Sequence, residues 1–411
     1  MQDRNANRPG YRKTLAGWIP NDWQVLRVRD VGAVQAGRQR SPHFTEGKLH
    51  PYLRVANIYD GYIDSSDVMK MMFTEEEFHR YRLRNGDILL NEGQSLDLVG
   101  RCAKYMGMPP NCCFQNTLIR FRPNGLIQED FCQILFTHLQ KSGAFSKIAS
   151  QTTSIAHLGV SRFANLCIPV PTFEEQKKIV KIFFAWDAVI DKICKLISSK
   201  KNRKKALMQN LLTGKKRLPG FAKPWKEYCL GDLFSERRET NGDHLPLLAI
   251  TGKRGVIPAS DIDRKDSSSA DKSRYKRIFP GDIGYNTMRM WQGVSAVSDL
   301  EGIVSPAYTI CKPKKGVNTN FFGYLFKLPS VVHLFWRHSQ GLVSDTLNLK
   351  FHNLAQIKIK APGIQEQDAI AKALLAIDDD IMLQEKKLAA TEKQKRGLMQ
   401  KLLTGEVRVK T

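Results

Sequence analysis

One segment occurs twice in this chain, and its repetition constrains the fold more than any other feature. Residues 175–214 and 366–405 align without a gap; both copies begin Glu-Gln and end Leu-Leu-Thr-Gly. Apolar residues recur in each copy in alternating steps of four and three, the heptad spacing of a helix that packs along another helix. An internal repeat of this kind predicts two equivalent halves, each ending in a long helix.

The helix boundaries and the buried seam can be predicted from the same segments. Thr172 and Gly363 stand three residues before Glu175 and Glu366, as in a capping box, and a glycine that suits a left-handed residue ends each copy. At 1.5 Å per residue each helix is roughly 60 Å long. The candidate seam and subunit-contact residues are Ile179, Phe183, Trp186, Ile190, Ile370, Leu374, Ile377 and Ile381.

The seam is interrupted by polar residues at the same place in both copies. Lys200 and Lys204 occupy seam positions in the first copy, and Thr391 and Lys395 occupy them in the second. One interpretation is that the lysine stems lie along the coil with their ammonium groups in water. The alternative is a contact site for another subunit or for phosphate.

Charge is the strongest compositional feature of the 411-residue chain. There are 64 Lys and Arg against 40 Asp and Glu, a net charge of +24. Such an excess, spread along the whole chain, favours an extended surface that binds a polyanion, with nucleic acid the first candidate. The polar N-terminus and the lack of a long apolar run predict a cytoplasmic protein without a transmembrane helix. Eight scattered cysteines without a C-x-x-C pair predict free thiols.

A frame of short motifs around the helices is also repeated. Trp23 and Trp225 open the two halves, and a Gly-Asp pair before an apolar run follows at 86–87 and 281–282, the signal of a turn that leads into a strand. Phe-x-Asn-Leu precedes each long helix. The frame predicts an α+β fold in which a mixed α and β globular unit and a long helix each occur twice. The predicted divisions are 1–170, 171–215, 216–361 and 362–411.

The linkers indicate where the chain ends lie. Leu15, Gly17 and Trp18 match Leu218, Gly220 and Phe221, so the chain begins inside a linker and stops where a third unit would start. We therefore expect the two termini to lie close together.

Catalytic signatures are absent from the sequence. There is no phosphate loop of the form G-x-x-x-x-G-K-[ST], no H-E-x-x-H, no G-x-S-x-G, no G-x-G-x-x-G and no Asn-Pro-Pro-aromatic tetrapeptide. Histidine spacing does not indicate a metal site. The sequence favours a binding protein.

With these motifs the chain resembles the specificity subunit of a type I restriction–modification enzyme. The resemblance rests on the two Trp-led units with their Gly-Asp turns, the Glu-Gln helix starts at 175–176 and 366–367, and the two Leu-Leu-Thr-Gly helix ends. It implies two target recognition domains, each reading one half of a split DNA target, joined by an antiparallel coiled coil that sets their spacing. It also implies two methyltransferase subunits and restriction subunits as partners, with S-adenosylmethionine, ATP and magnesium bound by those partners.

The candidate DNA-reading residues are polar and basic side chains on loops that follow the Gly-Asp strands and precede the Phe-x-Asn-Leu motifs, since such side chains read base edges. They are Asn91, Gln94, Ser95, Arg101, Gln151, Thr152 and Ser154 in the first unit, and Asn286, Arg289, Trp291, Gln292, Arg337, His338 and Gln340 in the second. Two other hypotheses are a self-contained restriction or methylation enzyme with an unrecognised catalytic site, and a coiled-coil assembly adaptor.

Overall fold

The computed structural model describes residues 5–41, 43, 45–151, 154–240, 242, 244–252, 254–262, 271–343 and 346–409. Contacts divide the chain into two units, which we call the first unit (Met1–Lys192 with Leu388–Thr411) and the second unit (Ile193–Lys387). The two long helices contribute one end to each unit. Within the described residues no helix is long and apolar enough to cross a membrane.

The first unit contains short strands and helices before the first long helix. Its strands are β1 Tyr11–Thr14, β2 Gly17–Pro20, β3 Gln24–Arg27, β4 Gly32–Ala36, β5 Lys48–Leu53, β6 Met69–Phe73, β7 Ile88–Asn91, β8 Gly93–Gln94, β9 Cys102–Lys104, β10 Cys113–Phe114, β11 Leu118–Pro123, β12 Ser150–Gln151, β13 Ala156–His157 and β14 Cys167–Val170. Its helices are α1 Val28–Val31, α2 Glu75–Tyr81, α3 Glu129–Lys141, α4 Ala144–Ile148 and α5 Val160–Asn165, followed by α6 Phe173–Leu211, which continues into the second unit.

The second unit repeats this order with fewer strands. Its strands are β15 Lys226–Cys229, β16 Phe234–Arg237, β17 Leu248–Thr251, β18 Gly255–Pro258, β19 Lys276–Ile278, β20 Ile283–Asn286, β21 Ser295–Val297, β22 Gly302–Val304, β23 Tyr308–Pro313 and β24 Lys358–Ala361. Its helices are α7 Leu230–Leu233, α8 Thr319–Leu325, α9 Pro329–His338 and α10 Phe351–Ala355, followed by α11 Ile364–Leu403, which ends in the first unit. Short 3-10 helices lie at Val55–Asn57, Ala259–Asp261 and Met290–Gln292.

Each unit is built on a four-stranded antiparallel sheet of the same design. The strand orders are β4-β11-β7-β9 and β16-β23-β20-β21. The Gly-Asp turns lead directly into the central strands β7 and β20, which confirms that part of the frame. The apolar stretch after each opening tryptophan is not one continuous strand. A helical turn, α1 or α7, interrupts it, because Asp30 and Asp232 accept the backbone N–H three residues earlier.

Buried aspartates anchor the Gly-Asp turns. In the first unit Arg122 donates to both oxygens of Asp87, at 2.6 and 2.7 Å, and in the second unit Arg237 donates to both oxygens of Asp282, at 2.7 and 3.1 Å. Both carboxylates are almost completely buried. A buried charge of this kind needs a bonded counter-charge, so each turn is fixed by its arginine.

The Glu-Gln helix starts are also buried. Glu175 accepts from the indole of Trp23 at 2.9 Å and from the guanidinium of Arg408 at 2.8 and 2.9 Å. The capping-box prediction is therefore half right. The hydroxyl of Thr172 accepts from the N–H of Glu175 at 3.3 Å, but the Glu175 side chain binds Trp23 and Arg408 instead of reaching back to the cap.

Glu366 makes the equivalent contacts in the second unit. Its carboxylate accepts from Arg217 at 2.5 and 2.6 Å and from the indole of Trp225 at 3.3 Å. Arg217 and Arg408 each stand three residues after a helix-ending glycine, Gly214 or Gly405, and both glycines have the expected left-handed φ of 69°. We call these two arrangements the Glu–Trp–Arg clamps.

The predicted proximity of the termini is confirmed inside the first unit. Asn5 donates to the carbonyl of Thr404 at 3.1 Å, Tyr11 to that of Gly405 at 2.5 Å and Arg8 to that of Glu406 at 2.8 Å. Contacts between the two chain ends thus complete the first unit, whereas a continuous linker completes the second.

The heptad seam is buried as predicted, and contacts within each unit make the helix pair antiparallel. Ile179 and Phe183, near the start of α6, share a core cluster with Leu402 and Leu403 at the end of α11. Ile370 and Leu374, near the start of α11, share a core cluster with Leu211 and Leu212 at the end of α6. Of the remaining seam candidates, Ile381 is buried and Trp186, Ile190 and Ile377 are half-buried.

The polar interruption of the seam is formed by ion pairs between the two long helices, and a contact there with another subunit or with phosphate stays a prediction. Lys204 donates to both oxygens of Asp378 at 2.6 Å, and Lys200 is bonded to Asp380. In the first unit Lys395 is bonded to Asp187. The lysines are therefore ion-paired to carboxylates of the facing helix, which the heptad pattern of one helix alone does not reveal.

Candidate nucleic-acid interface

Loops that are distant in the sequence meet at the end of the central strand in each unit. The N–H of Leu158 donates to the carbonyl of Glu92 at 2.8 Å, and in the second unit the N–H of Leu349 donates to the carbonyl of Thr287 at 2.9 Å. Glu92 and Thr287 directly follow the equivalent strands β7 and β20, and both leucines are fully buried. Each bond joins the loop after the Gly-Asp strand to the segment before the Phe-x-Asn-Leu helix.

In the first unit this junction forms a small sheet of strands β12, β13 and β8. Ala156 pairs with both Gln94 and Gln151, so two candidates separated by more than fifty residues share one sheet. Ser95, Gln151 and Ser154 are exposed and Gln94 is half-buried. We call residues 93–96, 150–151 and 154–157 the first loop surface. Thr152 lies outside the described residues.

Asn91 does not belong to this surface, which corrects the prediction. It is the last residue of β7, between β11 and β9, its exposure is 0%, and neither polar atom of its side chain has a hydrogen-bond partner. A side chain inside the sheet cannot reach a base edge. The equivalent Asn286 is half-buried, and its Oδ1 accepts the N–H of Met288 at 2.9 Å, so it shapes the loop.

Arg101 ends the first post-strand loop and faces a turn that sequence reasoning missed. Its Nε lies 3.2 Å from Asp60, and its guanidinium lies over the ring of Tyr59 at 5.9 Å. The rings of Tyr59 and Tyr62 stack with centroids 5.1 Å apart, and the two side chains are 37% and 57% exposed. Exposed parallel rings can stack on other π systems. The signal available in the sequence was a pair of tyrosines flanking Asp-Gly.

The second unit presents a different set of side chains at the same junction. Arg289, Gln292, Arg337 and Gln340 are exposed, and Trp291 is half-buried with its indole N–H donating to the carbonyl of Met288 at 3.0 Å. We call residues 287–294 and 336–343 the second loop surface. His338 is held by a bond from Nδ1 to the carbonyl of Leu334 at 2.9 Å, which gives this candidate a structural contact.

A cavity of about 470 Å³ opens on the second loop surface. Its lining residues are Trp291, Trp336, Arg337, Ser339, Gly341, Leu342, Val343 and Leu347. Trp336 is 50% exposed and stacks on His333 with centroids 5.5 Å apart. Thus both surfaces carry amides and hydroxyls, and the second adds two arginines and two indoles that the first loop surface lacks.

Within the part of the chain that the structure describes, no group of His, Cys, Asp and Glu could hold a metal ion. All eight cysteines are free, and burial raises the pKa of the Cys102 thiol to about 12 and that of Cys113 to about 12. Those two thiols stay protonated near neutral pH, so they are poor nucleophiles.

A family model and individual relatives match this architecture. The model described as "Type I restriction modification DNA specificity domain" matches residues 20–200 and again residues 222–393. The chain is 27% identical to the MjaX specificity subunit of a type I restriction enzyme of Methanocaldococcus jannaschii, over 98% of this chain and 97% of that protein. It is 26% identical to the MjaVIII specificity subunit of the same organism, over 95% of this chain and 94% of that protein.

The fold is also found among solved structures. A chain from a type I restriction–modification system superposes with a TM-score of 0.63 at 18% identity, covering 95% of this chain and 99% of that chain. This likeness supports the α+β fold with two globular units and two long helices.

Proposed function

The chain belongs to the type I restriction–modification DNA specificity family, and we propose that it recognises a bipartite, asymmetric DNA target and directs methyltransferase and restriction subunits to it. The observation that carries the proposal is that the two units share one frame but present different loop surfaces. Amide side chains pair with adenine and arginines with guanine in the major groove, so surfaces of different composition are suited to different half-sequences.

The chemistry of modification and cleavage is proposed for the partners. Two methyltransferase subunits would bind S-adenosylmethionine, and restriction subunits would use ATP and magnesium, while this chain supplies target recognition in the cytoplasm. The family membership and the protonated state of the buried thiols support a non-catalytic role. We expect the purified chain alone, supplied with S-adenosylmethionine or magnesium, to show no methyl transfer and no cleavage.

The long helices are proposed to set the spacing between the half-sites. Each is one continuous helix, Phe173–Leu211 or Ile364–Leu403, and antiparallel contacts are present at both ends of the pair. A helix resists bending better than a loop, so it can act as a spacer. Inserting four residues before Leu207 is expected to lengthen the gap in the DNA target; an unchanged gap would argue against the spacer role.

Exchange of one unit tests the proposal. Residues 18–170 would be replaced by the corresponding segment of another family member, and the methylated sequence would be read in cells that also supply the methyltransferase subunits. We expect one half of the target to change and the other half to stay the same. The reciprocal exchange of residues 220–361 is the matched control and should change the other half. A change in both halves from one exchange would contradict separate readers.

A further inference from the structure

Five arginines of the first unit gather on one face of the central sheet. We call them the arginine cluster: Arg80, Arg82, Arg84, Arg120 and Arg122. The Arg120 guanidinium donates to the carbonyls of Arg80 and Arg82, both at 3.4 Å, and Arg122 donates to the carbonyl of Arg82 at 3.2 Å. These bonds hold the segment around residue 82 against strand β11.

The positive charge of the cluster is poorly compensated. Arg122 is bonded to the buried Asp87, and among the described residues no carboxylate lies within ion-pair distance of the other four. Burial lowers the pKa of Arg120 to about 10; the neighbouring Arg122 and Arg84 also lower this pKa, whereas Asp87 raises it. Arg120 is only 5% exposed; its guanidinium also donates to the side-chain carbonyl of Gln35, and its Nε has no hydrogen-bond partner. Like charges repel across short distances unless an anion neutralises them.

Three cations near the equivalent face of the second unit lie beside carboxylates. Arg277 is paired with Glu301 at 2.7 Å, Arg237 with Glu239 at 2.6 Å, and Lys276 lies 4.0 Å from Glu236. The strand register explains part of the contrast. Arg120 on β11 pairs with Gln35 on β4, whereas the matching residue of β23, Ile310, pairs with Arg237 on β16, which is bonded to Glu239.

The first loop surface lies beyond one end of the central strands β7 and β11, and the arginine cluster lies toward the opposite end of β11. Leu118 pairs with Asn91 at the loop end of β11, and Phe121 pairs with Ile88 at the Gly-Asp end. Arg120 and Arg122 are two and four residues beyond Leu118, which places them roughly 7 and 13 Å along the strand. A distance of about 13 Å corresponds to about four base pairs of duplex.

We propose that the exposed members of the arginine cluster, Arg80, Arg82 and Arg84, bind the phosphate backbone of duplex DNA beside the half-site read by the first loop surface. The inference rests on the proposed function, because it assumes that this unit faces DNA. Guanidinium groups bind phosphate in bidentate geometry and do not distinguish bases there. The cluster therefore adds affinity for any sequence, while the loop surface supplies the discrimination.

The test uses the full chain with Arg80, Arg82 and Arg84 changed together to glutamine. All three side chains are exposed and none is ion-paired within the described residues, so the substitutions should leave the fold intact. A charge-matched control changes Lys226, Lys358 and Lys360 to glutamine, three exposed residues on strands β15 and β24 of the second unit. Binding of target and non-target duplexes is measured between about 0.05 and 0.2 M salt.

We expect the arginine variant to bind both duplexes more weakly by the same factor, on the order of 100-fold at about 0.1 M salt, because fewer phosphates are neutralised. The slope of log K against log salt should become smaller by about 0.9 for each phosphate that the variant no longer neutralises. The control should keep the slope of the unmodified chain, and the methylated sequence should not change.

Several results would overturn the inference. They are an unchanged slope in the arginine variant, an equal weakening of binding in the control, or an altered methylated sequence. Normal DNA binding together with failed assembly of the partner subunits would also overturn it, because that result would assign the cluster to an acidic protein.

A second measurement needs no substitution. Phosphate ethylation interference with the unmodified chain should detect phosphates a few base pairs from the bases of the first half-site, and interference confined to the half-site itself would contradict the inference. If the unmodified chain and its assembled complex bind no duplex at all, the proposed function fails instead.

Discussion

The two units are held together by the same kinds of buried polar contact, but their surface cations differ in whether carboxylates neutralise them. Each unit has a Glu–Trp–Arg clamp at a helix start and a buried aspartate–arginine pair at its Gly-Asp turn. By contrast, carboxylates neutralise the cations around β16 in the second unit, whereas within the described residues no carboxylate forms an ion pair with Arg80, Arg82, Arg84 or Arg120 in the first. Substitution of a residue in a buried polar contact causes a large loss of stability, whereas surface charges can be substituted at little cost and can differ with the ligand that each unit binds.

The origin of the clamp arginine shows how the two halves are related. Arg217 belongs to the linker that joins α6 to the second unit, and Arg408 belongs to the C-terminal tail. Both follow the helix-ending glycine by three residues. The first unit therefore depends on a chain end for a contact that the second unit obtains from a continuous chain.

The largest expected difference comes from matched truncations in the seam. Phe183 and Leu374 occupy equivalent positions and are fully buried, one in the first unit's core and one in the second's. Phe183→Ala should cost about 3–5 kcal/mol and Leu374→Ala about 2–5 kcal/mol of unfolding free energy. Hydrogen exchange should show the loss of protection mainly in the unit that carries each substitution. Equal loss in both units from either change would mean that they unfold as one body.

A smaller effect is expected from the clamps. Arg408→Ala leaves the buried Glu175 without its cation, and because Arg408 is one-third exposed we expect a loss of about 1–3 kcal/mol. Arg217→Ala should lower the thermal midpoint less, since Arg217 faces one carboxylate whereas Arg408 faces both Glu175 and Asp22. Thermal unfolding measures both. If the two variants lost the same stability, the extra bond to Asp22 would contribute nothing.

The smallest effect is expected where the seam turns polar. Lys395 and Asp187 form a partly exposed pair, so Lys395→Glu should cost less than about 1 kcal/mol. Adding Asp187→Lys restores an opposite-charge pair and should recover most of that loss in a double-mutant cycle. A double variant no more stable than Lys395→Glu would show that the pair does not couple the helices.

The sequence predicted the features that follow from periodicity and repetition. Heptad spacing located Ile179, Phe183, Ile370 and Leu374 in the buried seam, and the repeated linkers indicated that the termini meet. The prediction for Asn91 was wrong because its burial depends on contacts between strands that are distant in the sequence. Asn91 follows an apolar run and looks like a loop residue by pattern, but it is buried because neighbouring strands lie on both sides of β7.

Ion-pair partners that lie far apart in the sequence also could not be predicted from local patterns. The ion pairs of Lys200 and Lys204 involve Asp380 and Asp378 on the other long helix, so a one-helix pattern leaves them unassigned. Arg80, Arg82 and Arg84 can be read directly from the sequence. The carboxylates beside Lys276 and Arg277, which precede the second Gly-Asp turn, come from elsewhere in the chain and cannot be paired with them by local pattern. The loop candidates apart from Asn91 and Thr152 lie at or beside the two junctions, although which of them touch bases remains a prediction.

Sequencing of methylated bases tests most directly whether two units read one split target. The chain would be expressed with its methyltransferase subunits in a host that lacks other adenine and cytosine methyltransferases. We predict one methylated motif with two different specific halves separated by a fixed run of unspecified bases. A single uninterrupted motif, or one in which both halves have the same sequence, would contradict recognition by two different loop surfaces.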